Sequence, residues 1–518
     1  MSPAPPVRGF TARKTVAGLQ ADAMSHGLKR TLGPVQLMLL GVGCILGAGI
    51  YVMTGTAAAN FAGPAVVLSF IIAGITCGLT ALCYAELASA MPVAGSSYSY
   101  CYAALGEVFA WILGWLLMLE YGLAASTLAV GFSGYFASLA HGFGVAIPAG
   151  LITPTIHAAA QGAAHAAATA NLVAVGAILA VTVVLVLGVS ESARVNAVLV
   201  AVKLLVLAAF VAMGVGAIQP HNWTPFIPPN EGGFVYGWPG VFRGASILFF
   251  AYLGFETVST AGSETRDPQK AMPIGILGAL IICTVVYIVV AVVLTGVVPF
   301  RELGVSDPIA VAADRMGRPQ MAMLIKLGAL VGLASVLLVN GYGQSRVAFA
   351  MARDGLLPGL FSRLHRRFKT PHLAIVILGL VSAVLAAMFP LALLADLVSL
   401  GTALAFSIVC VSLMWLRATQ PDLPRPFRVP FGGMKVGRIW IGVVPVGALV
   451  MCWVMIVPVS IDLIRKAGDG NPAPMIFLVV YALAGAAVYL LYGRRKSRVQ
   501  GDPLAATHDL LKEAGGAS

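Results

Sequence analysis

Residues 41–50 read Gly41-Val42-Gly43-Cys44-Ile45-Leu46-Gly47-Ala48-Gly49-Ile50. The run sits inside a longer apolar stretch, 35–59. A glycine in a helix interior costs about 1 kcal/mol against alanine. Glycines also let membrane helices pack closely, and one pair would mean only that. Four glycines set around Ile45-Leu46 predict a local unwinding of a spanning helix. Unwound backbone is prohibitive in lipid unless it lines a cavity or meets a ligand. A second, weaker break signal lies in Phe249-Phe250-Ala251-Tyr252-Leu253-Gly254-Phe255-Glu256, with one glycine, an aromatic cluster and a charge.

The surroundings of these runs set the class. The chain has 518 residues, 59% of them hydrophobic and 10% charged, and its mean hydropathy is +0.92. A soluble domain carries about 25% charged residues, so the solvent around most of this chain is lipid. A spanning helix needs about 20 mostly apolar residues. Such spans fall at 35–59, 64–90, 106–139, 170–190, 193–219, 240–262, 273–299, 320–350, 372–390, 392–416, 440–463 and 474–493. The expectation is an all-α membrane protein of about 12 transmembrane helices. Spans 3 and 8 are long enough to reach beyond the hydrocarbon.

The formal charge is +12, and its placement decides its meaning. With both termini inside, 24 of the 32 basic residues fall in cytoplasmic segments, seven lie outside or at outer helix ends, and Lys203 lies mid-membrane. The clusters Arg363, Arg366, Arg367, Lys369, then Arg425, Arg428, Lys435, Arg438, then Arg494, Arg495, Lys496, Arg498 sit in alternate loops. That is the positive-inside pattern, and contact with anionic membrane lipid accounts for it. No aromatic interleaving suggests a base-stacking platform, so nucleic acid is not expected as a partner.

The first 34 residues lack the short apolar core and cleavage site of a signal peptide and read as a cytoplasmic arm. Residues 140–169 read as an Ala-rich outer loop carrying His141, His157 and His165, better taken as an exposed loop than as a metal site. The seven cysteines lie mostly within helices and read as small apolar packing residues, with no zinc or disulfide spacing. No metal and no cofactor are expected.

Spans 1 and 6 each open a set of five. Interrupted helices at corresponding positions point to a transporter site built on inverted repeats. A half-helix N-terminus presents free N–H groups and a positive dipole end suited to a carboxylate. The free carbonyls of the preceding half suit an ammonium. One break therefore offers both complements of a zwitterionic amino acid.

The chain resembles the amino acid–polyamine–organocation superfamily, specifically its cationic amino acid transporter branch in bacterial form. The resemblance covers about residues 28–495. It rests on Leu28-Lys29-Arg30-Thr31-Leu32-Gly33, the run 41–50, Tyr84-Ala85-Glu86-Leu87, Leu119-Glu120-Tyr121 and Gly254-Phe255-Glu256. It continues through Arg266-Asp267-Pro268-Gln269, Met272-Pro273-Ile274-Gly275-Ile276, Met351-Ala352-Arg353-Asp354-Gly355-Leu356-Leu357-Pro358 and Leu397-Val398-Ser399-Leu400-Gly401-Thr402. It implies a five-plus-five inverted-repeat core with discontinuous helices 1 and 6, and two further C-terminal helices. The implied division is a cytoplasmic arm (1–34), helices 1–5 (35–219), helices 6–10 (220–416), helices 11–12 (417–493) and a cytoplasmic tail (494–518). The resemblance also implies that Ile45, Leu46, Gly47, Ala48 and Gly49 bind substrate through backbone atoms. Phe249, Phe250, Ala251 and Tyr252 would then complete the amino-group site and cover the substrate. For the two phenylalanines, a lipid-facing or core role is the alternative.

Charges inside membrane helices are functional hypotheses by default. Lys203 is flanked by aliphatics, and Glu120 and Glu256 lie within spans 3 and 6. Glu86 and Asp396 sit nearer helix ends, where capping or interface roles are expected rather than transport. The resemblance implies that Lys203 takes the place of a sodium ion, touching carbonyls of the first break and the region of Ser335, and that Glu120 carries the proton. A structural ion pair is the alternative for Lys203, and pairing with a buried donor for Glu120. Leu333 falls where the branch lines its side-chain pocket, and its bulk favours small or medium neutral amino acids unless it is ordinary packing. A valine at Gly47 or Gly49 is expected to block the site in a folded protein.

An intramembrane enzyme would need a nucleophile or metal cluster at membrane depth, and all eight histidines lie outside or at the edges of the spans. A channel would need a continuous polar pore. The expectation is a secondary active transporter of an L-amino acid in the cell inner membrane, proton-coupled, sodium-independent and working by alternating access. An amino-acid-binding nutrient sensor is the alternative.

Overall fold

A computed structural model describes residues 13–16, 31–93, 95–156, 169–188, 193–470 and 472–498. The motif residues Leu28-Lys29-Arg30, the loop histidines His157 and His165, most of the arm and the tail beyond 498 lie outside the described residues.

The expected spans appear as helices. The first is α1 (Pro34–Ile45) followed by a second half running from Gly49 to Ala62. Next come α2 (Val66–Ala90), a short α3 (Ser96–Ala104), α4 (Glu107–Gly142), α5 (Leu172–Leu187) and α6 (Ala193–Val215). The sixth span is α7 (Gly237–Leu248), a tight turn at Phe249–Tyr252 and a 3₁₀ stretch at Glu256–Glu264. Then follow α8 (Pro268–Val297), a short α9 (Pro308–Arg315), α10 (Pro319–Arg353), α11 (His372–Met388), α12 (Leu391–Thr419), α13 (Val443–Gly468) and α14 (Ala473–Val488). Among the described residues nine helical stretches are long and apolar enough to cross a membrane, and α1, α5 and α11 are shorter apolar helices. The chain is a multi-pass membrane protein.

The long helices α2, α4, α6 and α10 are apolar nearly all round, which is the mark of helices surrounded by lipid and by one another. Leu205, Ile281 and Leu483 are among the exposed apolar side chains. Away from its ends, each backbone N–H and C=O of a helix pairs internally, which lipid demands. The 36 residues of α4 and the 35 of α10 make rods of about 50 Å at 1.5 Å per residue. Both exceed the hydrocarbon thickness of about 30 Å. They pack along each other at the centre, α8 packs on α1 and α2, and α12 packs on α4 and α13.

The sequence predicts a loop over 417–439 and a span from 440. The structure begins α13 only at Val443 and places across that boundary one small hairpin, β1 (Gly433–Val436) against β2 (Ile439–Gly442). Its two-residue turn, Gly437-Arg438, has Gly437 at φ +60°, the left-handed conformation that such turns require. The hairpin lies beside a buried ion cluster. The Glu86 carboxylate accepts from Arg417 Nε at 2.7 Å and from the Val429 N–H at 2.7 Å. Arg417 also lies over the Trp440 ring. Glu86 thus ties α2 to the end of α12 and to the strand-bearing loop, the interface role expected of it.

Candidate functional site

The first break falls where the glycines put it. α1 ends at Ile45, Leu46 takes φ −72° and ψ 84°, and helical backbone resumes at Gly49. The N–H groups of Ile50 and Tyr51 both turn back to the Gly47 carbonyl, at 3.3 Å. The first N–H groups of a helix have no partner within it, so the segment entering at Gly47–Gly49 faces the gap with its donor end. The second break is sharper. α7 passes through the turn at Phe249–Tyr252, and Gly254 then adopts φ +119°. A Cβ on Gly254 would also stand 2.9 Å from the Cys44 carbonyl carbon. Glycine is needed there twice over, for conformation and for the close approach of the two breaks.

The breaks touch. A Cβ on Gly49 would lie 2.4 Å from the Ala251 Cβ and 2.5 Å from its Cα. A single hydroxyl joins them: Tyr287 Oη, from α8, lies 2.8 Å from the Ile45 carbonyl oxygen and 2.6 Å from that of Ala251. One hydroxyl proton serves both oxygens. The sequence reading missed Tyr287, because one tyrosine in an apolar helix carries no pattern.

Between the breaks lies a small pocket. Of the expected residues, Ile45, Gly47, Ala48, Gly49, Phe250 and Ala251 line it. Cys44, Leu128, Leu253, Val336 and Asn340 line it as well and were not anticipated. Leu46, Phe249, Tyr252, Leu333 and Ser335 are not among the lining residues. Phe249 packs edge-on against Phe406 at 5.6 Å, and the Tyr252 hydroxyl donates to the Phe70 carbonyl at 2.9 Å. On α10 the lining residues are Val336 and Asn340, one and two turns past the fully buried Leu333. The helical period selects that face, and without a known rotation of the helix the sequence could not choose between Leu333 and Val336.

Lys203 is 1% exposed, and its ammonium donates to the Gly43 carbonyl at 2.8 Å. That carbonyl belongs to the last turn of α1 before the break. On α10 it is Gly332 that packs beside the aliphatic stem of Lys203. Ser335, expected near the ammonium, donates to the Gly332 carbonyl of its own helix at 3.0 Å.

Glu120 is fully buried on α4, and neither of its oxygens has a hydrogen-bond partner among the described residues. Thr402 of α12 stands beside it, and the Thr402 hydroxyl is also unsatisfied. Glu256 is a second buried carboxylate close enough to interact with it. Glu256 Oε2 accepts from the Gly254 N–H at 2.9 Å, which pins the turn of the second break. The seven cysteines are all buried and unbridged, as expected of packing residues.

Against known proteins, the profile of the amino acid permease family matches residues 32–493. The methylthioribose transporter of Bacillus subtilis is 42% identical over 94% of this chain and 98% of its own length. A branched-chain amino acid permease of the same organism is 41% identical over 93% and 97%. A vacuolar cationic amino acid transporter of Arabidopsis thaliana is 37% identical over 77% of this chain and 65% of its own.

Proposed function

This chain belongs to the amino acid permease family, and from that premise we propose that it carries a neutral L-amino acid across the cell inner membrane by proton-coupled, sodium-independent alternating access. The family membership makes it a transporter and not an enzyme. The observation that carries the finer reading is the meeting of two interrupted helices at one pocket lined by backbone of both breaks.

In this reading the substrate carboxylate meets the N–H groups of Gly47, Ala48 and Gly49, where the helix dipole favours negative charge. The ammonium meets carbonyls of Ile45 and of the Phe249–Tyr252 turn. The side chain lies against Leu128, Phe250 and Val336. These walls suit an apolar side chain, and among the lining residues none is a carboxylate for a cationic one. The relatives' names pull apart, since one is named for methylthioribose and another for branched-chain amino acids at nearly equal identity. The paired backbone donors and acceptors favour the amino acid.

Lys203 holds a fixed positive charge against the first break, where a sodium ion would otherwise have to supply it, and Gly332 of α10 packs against its stem. Glu120 is the proton carrier, a buried carboxylate without a hydrogen-bonded cation among the described residues. The segments 35–219 and 220–416 act as two inverted repeats that rock about the cavity, 417–493 adds two helices, and both termini face the cytoplasm. A nutrient sensor lacks an observation in its favour.

The test is uptake of labelled leucine by the purified protein in liposomes. An inward proton gradient is expected to drive accumulation, and replacing sodium by choline is expected to change nothing. A strict sodium requirement would overturn the coupling reading. Binding without any uptake would favour the sensor, and competition by methylthioribose tighter than by leucine would overturn the substrate class.

A further inference from the structure

Buried polar side-chain atoms are almost always hydrogen-bonded, and each exception needs an explanation. Among the described residues fourteen such atoms lack a partner. Six of them lie along a single face-to-face seam: Arg243 Nε and Nη1, Asp396 Oδ1, Thr402 Oγ1 and both oxygens of Glu120. We propose that the row Asp396, Ser399 and Thr402 of α12 is a hydrated path by which Glu120 exchanges protons with the end of the bundle where α12 begins. The proposal rests on proton coupling through Glu120 as read above.

The path has a charged mouth. Lys466 of α13 lies 2.9 Å from Asp462 and 3.9 Å from Asp396. Arg243 Nη2, from α7, donates to Asp396 Oδ2 at 2.6 Å and to Asp462 Oδ2 at 2.9 Å. Side-chain exposure falls steadily inward, from 39% at Lys466 to 20% at Asp462, 1% at Asp396 and zero at Arg243. Two cations and two carboxylates cancel, so an entering proton meets no net charge. Phe61 covers the Arg243 guanidinium at 4.6 Å. Arg243 keeps its proton under all ordinary conditions, so it orders the mouth without relaying.

Inward of the mouth, α12 carries Ser399 three residues past Asp396 and Thr402 three past Ser399, so each is a surface neighbour of the last and the row winds around the helix. From Asp396 to Thr402 the rise is about 9 Å, three to four water-sized steps. Ser399 Oγ reaches the Ile247 carbonyl of α7 at 3.4 Å, a long bond that leaves the hydroxyl free to turn. Thr402 then stands beside Glu120. A buried water makes about three hydrogen bonds to groups of this kind, and the unsatisfied atoms at both ends are such groups. A proton passes along hydroxyls and water by exchange of O–H bonds, entering at one oxygen as another leaves, and ends on a Glu120 oxygen. Glu256, Tyr84 and Tyr121 are the other titratable groups around Glu120. α7 runs straight into the Phe249–Tyr252 turn, so the wall of the path and the cover of the cavity are one element.

The test uses the full chain in liposomes with two readouts on each preparation: uptake of labelled leucine driven by a proton gradient, and leucine counterflow exchange at equal pH. The variants are Thr402→Val, which keeps shape and removes the hydroxyl, and Ser399→Ala with Thr402→Val. Asp396→Asn alone leaves the Arg243 charge short of a partner, so thermal stability is measured for each and Asp396→Asn is read only where it folds. The expected result is a tenfold or greater loss of gradient-driven uptake with counterflow within twofold of the unmodified protein. Gradient-driven uptake unchanged in the double variant would overturn the path while leaving proton coupling intact. Both activities falling together would assign these residues to structure and overturn it equally. Uptake by the unmodified protein that ignores the gradient would remove the coupling reading and the path with it.

Discussion

The Lys203 ammonium and the Gly43 carbonyl are joined by a 2.8 Å hydrogen bond across α6 and α1, 160 residues apart in sequence. A buried ammonium is retained only where its partners offset the loss of water. Here one partner is the end of the helix that breaks to form the cavity. Replacing Lys203 by Met keeps much of the length and removes both the charge and the cost of burying it. The variant is expected to melt at or above the temperature of the unmodified protein and to lose gradient-driven leucine uptake. Arg at this position is expected to rescue poorly, since a planar fork does not substitute for a compact point charge. A well-folded Lys203→Met protein with normal uptake would remove the coupling role.

Gly47 and Gly49 part company once their surroundings are known. A Cβ at Gly47 would meet Leu128 and Val336 side-chain atoms at 3.2 Å, which can yield, whereas one at Gly49 would meet the Ala251 Cα at 2.5 Å. Gly47→Val is expected to fold and to lose substrate binding, as the sequence suggested for both. Gly49→Val is expected to push the two breaks apart and to destabilise the protein. Overpacking usually costs about 1–3 kcal/mol, and contact with backbone puts this case at or above the upper end. Melting temperatures of the two purified variants, with and without leucine, check the difference.

Tyr287→Phe is the cleanest probe of the joint between the breaks. The ring contacts with Phe70 and Tyr252, at 5.1 and 5.3 Å, survive the change. The Ile45 and Ala251 carbonyls lose a shared donor, and a buried acceptor left unsatisfied costs about 1–3 kcal/mol. Leucine affinity measured by calorimetry is expected to fall about tenfold or more, the equivalent of 1.4 kcal/mol. An unchanged affinity would show that the joint holds without the hydroxyl.

Val336 and Leu333 give a test of what sets side-chain size. Val336 lines the cavity and Leu333 is fully buried in packing. Val336→Ala is expected to widen preference toward larger apolar amino acids with little loss of stability. Leu333→Ala is expected to leave the preference order alone and to cost about 2–5 kcal/mol, as large-to-small core changes do. Competition of labelled leucine uptake by a series of unlabelled amino acids reads both. A changed preference order in Leu333→Ala would return that residue to the pocket wall.

By itself, the sequence determined that the chain lives in lipid, where its helices lie and where the first of them breaks. Those properties are local. Charge content, apolar run length and the crowding of Gly41, Gly43, Gly47 and Gly49 act on a segment whatever its neighbours are. The weaker signal around Gly254 pointed to the right place for the same reason. Backbone lining by Gly47–Gly49 was legible because the missing Cβ is itself the feature. Only the tertiary structure decided which atoms answer that backbone. Tyr287 reaches Ile45 from 242 positions away, and Arg243 pairs with Asp396 across 153. The face that α10 turns to the cavity picks Val336 and Asn340 over Leu333 and Ser335. On a mostly apolar helix such as α10, no polar stripe marks the inner face, so its rotation and partner choice are settled by side-chain packing between helices distant in sequence.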